Sequence, residues 1–299
     1  MRLFVTGGSG LLGADLIPAA ASRGHEVVAP SSAEFDVADP TAVARFGAGD
    51  FGPFDWCLNL AAYTNVDGAE SHVREATELN VLAPGYLAAA SLALGCRLAH
   101  VSTDYVFGGG DAETYGEDDP VAPIQKYGET KLEGERSAMA ASPSSVIARV
   151  SWLYGPSKRC FPVGLIENFK AGKSLRIVDD QVGVPSYTEE VSRMLLDLME
   201  GCAEAGIYHV AGSDVVNRFQ YAEAVARAFG RAYRLPAPAM TPVPSSEFPT
   251  PARRPSNSVI LTEKVRRYTR AHMPIDAAMD RLLQRLDEQA TDGRSDIPR

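Results

Sequence analysis

Short apolar runs alternate with longer segments of helical periodicity along the first half of the chain. The runs are typical of buried strands, and they predict strands over residues 2–6, 25–29, 55–61, 97–102 and 145–150. The longer segments predict helices over 10–23, 70–94 and 127–141, the second of them interrupted by Pro84 and Gly85. Strands separated by helices imply right-handed βαβ crossovers. The pattern therefore predicts an α/β fold with a doubly wound parallel sheet.

Beyond Trp152 the regular alternation weakens. A strand over 206–210 and a helix over 218–229 are predicted there, and the proline-rich stretch 236–255 is expected to be an ordered loop or linker over a smaller lobe. We therefore divide the chain into a first domain, 1–153, completed by parts of 184–214, and a smaller C-terminal α/β lobe over most of 154–299, interleaved with the first. The polar end, 289–299, is predicted to be a disordered tail.

Composition excludes several classes of protein. Hydrophobic residues make up 45% and charged residues 22% of the 299 residues, which is ordinary globular usage. The net charge of −9 argues against a broad nucleic-acid face, because phosphate backbones require concentrated Lys and Arg. The N-terminus lacks the apolar run of a secretory signal, and no stretch approaches the roughly 20 apolar residues of a membrane helix. We therefore expect a cytoplasmic protein with no nucleic-acid or membrane partner. The four cysteines form no CxxC pair, which favours reduced thiols over a zinc site or disulfides.

A glycine-rich turn follows the first predicted strand. Its Gly-x-x-Gly-x-x-Gly spacing consists of Gly7, Gly10 and Gly13, with Leu11 and Leu12 before the last glycine. Such a turn lets the backbone approach a pyrophosphate closely, and the N–H groups and dipole of the following helix favour phosphate charge. A purely structural turn is the alternative, but the position between a first strand and a first helix favours a Rossmann-type, dinucleotide-binding domain.

The loop after the second strand bears on the form of the nicotinamide cofactor. No acidic residue stands at the strand end to bind a ribose 2′-hydroxyl, whereas Ser31 and Ser32 are able to donate to a 2′-phosphate. NADPH is therefore favoured, and NADH remains open. Asp36 and Val37 are placed to contact the adenine, although a solvated loop aspartate is an alternative interpretation.

Tyr127 and Lys131 are four residues apart and share one face of a predicted helix. A nearby ammonium is expected to lower the pKa of the tyrosine, which suits a group that protonates a carbonyl oxygen as hydride arrives. Lys131 could also hold the nicotinamide ribose. Thr103, at the end of a predicted strand, supplies a hydroxyl for the same oxygen. A Tyr-x-x-x-Lys pair alone is common on helix surfaces, so its combination with Thr103 and the glycine turn carries the prediction of a reductase.

These features resemble the extended short-chain dehydrogenase/reductases, and further segments resemble the dTDP-4-dehydrorhamnose reductase family. The segments are 59–67 (NLAAYTNVD), 102–107 (STDYVF), 127–135 (YGETKLEGE), 149–152 (RVSW), 180–185 (DQVGVP) and 249–258 (PTPARRPSNS). The resemblance spans nearly the whole chain. It implies NAD(P)H-dependent reduction of dTDP-4-dehydrorhamnose to dTDP-L-rhamnose, on a Rossmann-type sheet with a C-terminal substrate-binding lobe.

The resemblance also assigns roles to individual residues. Tyr127 would be the proton donor, Lys131 its partner, and Thr103 the hydroxyl that orients the carbonyl. The sugar pocket would be lined by Val66, Thr103, Asp104, Tyr105, Tyr127 and Trp152. The cofactor would contact the glycine turn and also Asp36, Val37, Ala61, Ala62, Tyr63, Tyr127 and Lys131. Some members form homodimers bridged by Mg²⁺, and two such ligand positions are matched here by Asp15 and Glu189, with no third ligand assigned.

Several of these residues have alternative interpretations. Trp152 could belong to the core, and Asp104 could cap a helix or form a turn. Arg253 and Arg254 lie in a proline-braced loop and could bind a nucleotide diphosphate. They could equally pair with acidic residues of the first domain, and we favour that structural pairing.

Departures from the family pattern bear on the substrate. Tyr63 stands where members usually have His, and Tyr187 falls in a stretch usually made of small residues. Another nucleotide-linked deoxysugar of secondary metabolism is therefore an alternative substrate. A non-catalytic regulatory subunit, resembling that of methionine adenosyltransferase, is an alternative of another class, which the presence of Thr103, Tyr127 and Lys131 disfavours. A dehydratase is disfavoured because Asp104-Tyr105 stands where an Asp-Glu pair is expected.

Overall fold

Six parallel strands form the central sheet of the computed structural model, which describes residues 1–110 and 112–291. Their order across the sheet is β10-β5-β4-β3-β1-β2, so the direction of winding reverses between β1 and β3. The strands are β1 (Arg2–Thr6), β2 (Glu26–Val28), β3 (Trp56–Asn59), β4 (Arg97–Thr103), β5 (Val146–Val150) and β10 (Gly206–His209). The predicted doubly wound parallel sheet is confirmed.

Helices cover both faces of this sheet. They and the helices of the C-terminal part are α1 (Gly13–Ser22), α2 (Pro40–Gly47), α3 (Val73–Thr77), α4 (Ala83–Leu94), α5 (Lys126–Ala141), α6 (Phe161–Lys170), α7 (Thr188–Glu200), α8 (Arg218–Tyr233) and α9 (Ile275–Thr291). Because side chains of a strand alternate between faces, Leu3 and Val5 of β1 pack in a core with α1 and α7. Phe4 packs in the opposite core with α2 and α4. In the part of the chain described, no helix is both long and apolar enough to cross a membrane.

The C-terminal part has its own core between α6, α8 and α9. Three small sheets surround it: β6 (Leu153–Tyr154) with β9 (Ser186–Tyr187), β7 (Leu175–Val178) with β12 (Met240–Val243), and β8 (Val182–Gly183) with β11 (Val216–Asn217). The stretch 236–255 is therefore not loop throughout, since β12 lies inside it. Pro242 is tolerated in β12 because a strand of a two-stranded sheet has a free edge on which no N–H donor is needed.

The stretch predicted as a helix over 70–94 changes helix type ahead of Pro84. A 3₁₀ turn at Gly68–Glu70 precedes α3, a π-helical segment spans Glu78–Leu82, and α4 begins at Ala83. Proline disrupts a helix interior because it lacks an N–H, but in the first turn of a helix that N–H has no partner to lose. Pro84 therefore lies at the start of α4 and does not break it.

Several predicted elements begin or end at other residues in the structure. The first helix begins at Gly13 and not at residue 10, because Gly10–Leu12 remain part of the glycine turn. The predicted tail, 289–299, overlaps α9, which continues to Thr291. The rest of that tail, 292–299, lies outside the described residues.

Candidate active site

A cavity of about 740 Å³ opens at the carboxyl ends of β1, β3, β4 and β5. Ligands bind at this edge of a doubly wound sheet, next to the reversal of winding. Its lining contains the predicted residues Gly7, Gly10, Leu11, Leu12, Gly13, Asp36, Val37, Ala61, Ala62, Val66, Thr103, Asp104, Tyr105, Tyr127, Lys131 and Trp152. The fold therefore brings into one cavity groups that are far apart along the chain.

The glycine turn has no room for side chains. Gly7 has a φ of +70°, and a Cβ on it would lie 2.6 Å from the backbone nitrogen of Ala61. A Cβ on Gly13 would collide with the carbonyl of Gly8, so α1 could not start so close to the turn. The turn is closed by a hydrogen bond from Gly10 N–H to Gly7 O of 2.9 Å. This leaves a backbone cradle in front of the first turn of α1, which fits the pyrophosphate of a dinucleotide.

The two serines in the loop after β2 have different surroundings. Ser32 lines the cavity, whereas the hydroxyl and the backbone N–H of Ser31 both donate to Glu34 Oε2 at 2.8 Å. Those hydrogen bonds lower the pKa of the exposed Glu34 carboxyl. Asp36 also lines the cavity while its Oδ1 accepts from Ala38 N–H at 2.9 Å. Asp36 therefore both stabilises a turn and lines the part of the cavity that is expected to bind the cofactor.

Lys131 is held under the floor of the cavity. It is 2% exposed, and its Nζ donates to the carbonyl of Val101 on β4 at 2.7 Å. Burial lowers the pKa of this amine to about 8, and the carboxylate of Glu135 opposes that change. The amine is therefore charged at neutral pH and begins to lose its proton only slightly above it.

Tyr127 is a protonated phenol. Burial raises the pKa of its hydroxyl above the ordinary tyrosine range, and a hydrogen bond with Thr103 only partly offsets the rise. The pKa of Tyr127 in this structure is therefore raised and not lowered as expected, because the loss of solvation dominates, while Lys131 directs its Nζ to Val101 O. A phenol that keeps its proton is nevertheless what a proton donor to a nascent alkoxide requires.

Thr103 connects the end of β4 with the buried carboxyl of Asp104. The threonine, and not the aspartate, caps the 3₁₀ turn Asp104–Val106, since Tyr105 N–H donates to Thr103 Oγ1 at 3.1 Å. The Asp104 carboxyl accepts from Thr103 Oγ1 at 3.1 Å and from Ser151 Oγ at 2.9 Å. Burial raises the pKa of Asp104 to about 6, against the effect of these hydrogen bonds. Asp104 thus fixes the hydroxyl of Thr103 beside Tyr127.

Trp152 lines the cavity in a strained backbone conformation. Its φ is +39°, which is rare for a residue other than glycine and is found where surrounding structure enforces it. Gly183 lies directly against the indole and has no space for a Cβ. On the indole lies the guanidinium of Arg218, 3.5 Å from the ring centroid. Trp152 therefore lines the cavity and also packs against the core of the C-terminal part.

Arg218 is a cavity residue that the sequence analysis missed. It is the first residue of α8, and its backbone N–H donates to Gln181 O at 3.0 Å. Burial raises the pKa of the Tyr105 hydroxyl, against a smaller lowering by the positive charge of Arg218. No acidic side chain in the described ranges forms a salt bridge with it, so its charge is available to a bound anion. A signal was present: Asn217 and Gln220 form a capping box that marks the start of a helix directly at Arg218.

Tyr63 is the predicted cofactor residue that does not reach the cavity. Its ring stacks on His72 with a centroid distance of 6.4 Å. Among the described residues, Tyr63 is not part of the cavity lining. Its backbone is held by the buried amide of Asn80, which accepts from Tyr63 N–H at 2.8 Å and donates to Tyr63 O at 3.1 Å. Asn80 lies in the π-helical segment, so that segment positions the backbone of 61–63 beside the cofactor end.

A buried ion pair stands behind the catalytic helix. The guanidinium of Arg149 on β5 donates to the carboxylate of Glu135 on α5 at 2.9 and 2.7 Å, and Ser102 Oγ donates to the same carboxylate at 2.5 Å. The two charged side chains are 2% and 1% exposed. An arginine in an otherwise apolar strand (VIARV) requires an acidic partner. The sequence therefore contained a signal for this ion pair that the predictions above did not use.

Arg254 has a structural partner in the first domain, as we favoured. Its guanidinium forms a two-pronged ion pair with Asp67, one contact of which measures 2.8 Å, and Asp67 also accepts from Ala252 N–H at 3.0 Å. The pair lowers the pKa of Asp67. Arg253 is exposed. The proline-rich loop is therefore fastened beside Val66 by a carboxylate, and Arg254 is not a free phosphate ligand.

The expected magnesium ligands are already neutralised by arginines. Asp15 accepts from Arg285 at 2.6 Å and from Thr188 Oγ1 at 2.5 Å. Glu189 lies 3.3 Å from Arg281 and 3.8 Å from Arg285. Within residues 1–110 and 112–291, no three His, Cys, Asp or Glu side chains are grouped to hold a metal ion. The structure therefore does not support the magnesium expectation, because a cation is already present between the two carboxylates.

A glycine cradle for a dinucleotide meets a Tyr–Lys pair and a threonine hydroxyl in one cavity of a Rossmann-type sheet. This combination defines a nicotinamide-dependent reductase, an enzyme that binds NAD(P)H. Within that class, the chain belongs to the family described as the RmlD substrate binding domain, whose sequence profile matches residues 1–288.

Similar proteins of known name agree with this assignment. The dTDP-4-dehydrorhamnose reductase of Mycolicibacterium smegmatis is 38% identical over 265 residues, which are 88% of this chain and 79% of that protein. The crystal structure of a dTDP-4-dehydrorhamnose reductase from Clostridium acetobutylicum matches with a TM-score of 0.89 at 30% identity, covering 96% of this chain and 100% of the other. The enzyme of the same name from Bacillus anthracis, in complex with NADP, matches with a TM-score of 0.87 at 28% identity, covering 95% and 99%.

Proposed function

We propose that this protein reduces the 4-keto group of a dTDP-4-keto-6-deoxyhexose, with dTDP-4-dehydrorhamnose as substrate and dTDP-L-rhamnose as product. The observation that carries the proposal is the convergence of Tyr127, Thr103 and Lys131 at the same cavity as the glycine cradle. The names of the similar reductases support the choice of sugar nucleotide.

The chain's own residues supply the proton of the reaction. NADPH bound in the glycine cradle would supply the hydride for the carbonyl carbon. Tyr127 donates its phenolic proton to the carbonyl oxygen as negative charge builds there, and it later regains a proton from solvent. Thr103 Oγ1, which donates its one proton to Asp104 Oδ1 in this structure, is proposed to turn that proton to the same oxygen when the ketone binds. The ammonium of Lys131 stabilises the phenolate that Tyr127 leaves behind.

The sugar nucleotide is bound by the other wall of the cavity. Trp152, Val66 and Tyr105 line the cavity and are proposed to contact the sugar. Arg218 is the cation proposed to bind the diphosphate, because guanidinium matches phosphate geometry and its stacking on Trp152 fixes its direction. We therefore propose Arg218 as the diphosphate ligand, in preference to the arginines of the proline-rich loop.

The cofactor is proposed to be NADPH in preference to NADH. Ser32 remains available to the adenosine 2′-phosphate, and the similar Bacillus anthracis reductase was crystallised with NADP. The hydroxyl of Ser31 contributes nothing to this choice, because it donates to Glu34.

The proposal is tested by mixing purified protein, NADPH and dTDP-4-keto-6-deoxyglucose, with and without a 3,5-epimerase, and identifying the product by NMR. We expect NADPH oxidation and dTDP-L-rhamnose only when the epimerase is present, with slower oxidation of NADH. Turnover without the epimerase indicates another deoxysugar. A protein that binds NADPH but oxidises none with either substrate would support the regulatory-subunit alternative and contradict the proposal.

A further inference from the structure

A series of buried polar groups leads from the glycine turn to Lys131. Thr6 Oγ1 donates to Asn59 Oδ1 at 2.7 Å. The Asn59 amide nitrogen is 3.0 Å from His100 Nδ1, and His100 Nε2 is 3.4 Å from Lys131 Nζ. All four side chains belong to residues that are at most 2% exposed. None of Thr6, Asn59 and His100 has a role in the proton transfer described above.

The neighbours of Asn59 determine which ring nitrogen of His100 carries the proton. Asn59 Oδ1 accepts from Thr6 and, at 3.1 Å, from Ala61 N–H, so the amide cannot be turned the other way. Its Nδ2 is therefore the donor to His100 Nδ1. Burial and the neighbouring Lys131 lower the pKa of His100 well below the ordinary histidine range. The ring is thus neutral, and the hydrogen-bond network assigns its one proton to Nε2.

That proton points at the amine of Lys131. An ammonium has only donors, so it cannot form a hydrogen bond with an N–H, whereas the lone pair of a neutral amine can accept one. We propose that His100 is a positioning residue that destabilises the charged form of Lys131 through its Nε2–H and so sets the upper pH limit of the reaction. This inference rests on the proposed function only for its effect on turnover.

The charged groups around Lys131 and His100 either favour the charged form of Lys131 or are already paired with other residues. On α5, the carboxylate of Glu135 favours the charged amine, but it is engaged by Arg149 of β5. Lys131 is the charged group that acts on His100, and the titratable side chains that line the same cavity as Lys131 include Tyr127, Asp104 and Tyr105. From β3 the pair is faced by the neutral amide of Asn59. His100 is therefore the neighbour whose dipole opposes the charge of Lys131.

The consequence is an amine poised near the working pH. Lys131, with a pKa of about 8, is charged at neutral pH and keeps one strong acceptor, the carbonyl of Val101. When a proton leaves this amine, His100 Nε2–H has an acceptor, which stabilises the neutral form. The effect of Lys131 on Tyr127 is then lost as the pH rises past that value, so kcat/KM is expected to fall above about pH 8.

The first test uses the unsubstituted protein and needs no turnover. The five histidines in the sequence make ¹⁵N ring shifts assignable. These ¹⁵N shifts are expected to show that the His100 ring is neutral, with its proton on Nε2, across the neutral pH range. The sequence also holds six lysines, so the Lys131 ¹³Cε signal, identified with Lys131→Arg, gives its titration midpoint directly. A His100 ring that is protonated on Nδ1 alone, or on both nitrogens, would overturn the inference.

The second test replaces the donor. In His100→Asn the amide oxygen can accept from Asn59 in place of Nδ1, while the Nε2–H is gone. We expect the Lys131 midpoint to move upward by about one pH unit. His100→Gln can offer an oxygen to the amine, and we expect an upward shift at least as large. In both variants, the alkaline fall of kcat/KM should move with the NMR midpoint.

A matched control is His209→Asn. His209 is also fully buried on the central sheet, and its Nδ1 hydrogen-bonds Leu261 O at 3.0 Å. Loss of this buried ring is expected to lower stability and leave the Lys131 midpoint in place. If the His100 variants fold and their Lys131 midpoint stays at the wild-type value, His100 is only a packing residue and the inference is wrong. Absence of turnover with the dTDP-sugar would contradict the proposed function alone, because the NMR titration does not depend on it.

Discussion

Removal of the charge of Glu135 is expected to destabilise the protein far more than removal of an exposed glutamate from the same helix. Glu135→Gln keeps the size of the side chain but places an amide in front of Arg149, which is 2% exposed. Two of the guanidinium contacts, at 2.9 and 2.7 Å, then lose their negative partner. Breaking a buried pair from one side leaves an uncompensated charge, so we expect a loss of about 3–5 kcal/mol in the free energy of unfolding.

The control is Glu133→Gln, two residues away on α5. Glu133 pairs with Arg136 at 2.5 Å, but their side chains are 54% and 57% exposed. Exposed pairs contribute about 0–1 kcal/mol because water screens them. A double variant, Glu135→Leu with Arg149→Met, removes both charges and is expected to be more stable than Glu135→Gln alone, since no buried charge remains unpaired.

Urea unfolding, followed by far-ultraviolet circular dichroism and by tryptophan fluorescence, measures these differences. Of the two tryptophans in the sequence, Trp56 of β3 packs in the core with α1 and α7, and Trp152 lines the cavity. If Glu135→Gln loses no more free energy of unfolding than Glu133→Gln, the buried charges are not what couples α5 to β5. A double variant less stable than Glu135→Gln would equally contradict the argument.

Two further substitutions test the two ends of the cavity. Arg218→Met keeps the stem of the side chain and removes its charge, so dTDP-sugar binding should weaken by about 1.5–3 kcal/mol, roughly 10- to 150-fold in KM; an unchanged KM would exclude Arg218 as the diphosphate ligand. Gly13→Ala forces α1 away from Gly8. Overpacking of this kind costs about 1–3 kcal/mol, and we expect NADPH binding, measured by calorimetry, to weaken by a similar amount. Its control is Gly116→Ala, whose Cβ would meet only Asp119 Oδ2 at 3.7 Å, and equal NADPH affinities of the two variants would argue against the cradle.

Signals that lie within a few residues of each other could be identified from the sequence, and the structure brings them into one cavity. The turn from Gly7 to Gly13 and the pair Tyr127–Lys131 carry their meaning locally, because the backbone conformation or the helical repeat places them. Alternation of strands and helices was sufficient for the parallel sheet. The proline-braced loop left open whether Arg254 binds a phosphate or pairs with an acidic side chain, and the structure shows the favoured pairing, with Asp67.

Features that depend on distant partners could not be read in this way. Arg218 approaches Trp152 only because α8 starts at the mouth of the cavity. Asp15 and Arg285 are 270 residues apart in sequence, so no local pattern shows that a guanidinium meets this carboxylate. The pKa of Tyr127 was predicted in the wrong direction for a related reason, since burial is set by the whole fold whereas the nearby lysine is visible in the sequence.

The central claim, that Tyr127 delivers the proton to a bound ketone, is tested most directly by Tyr127→Phe. Loss of a positioned acid typically lowers rates by about 10²- to 10⁴-fold, and the structure predicts a fall of that size in kcat for dTDP-4-dehydrorhamnose reduction. The NADPH dissociation constant should stay near the wild-type value, because the glycine cradle and Lys131 remain in place. A variant that retains wild-type kcat would contradict the account.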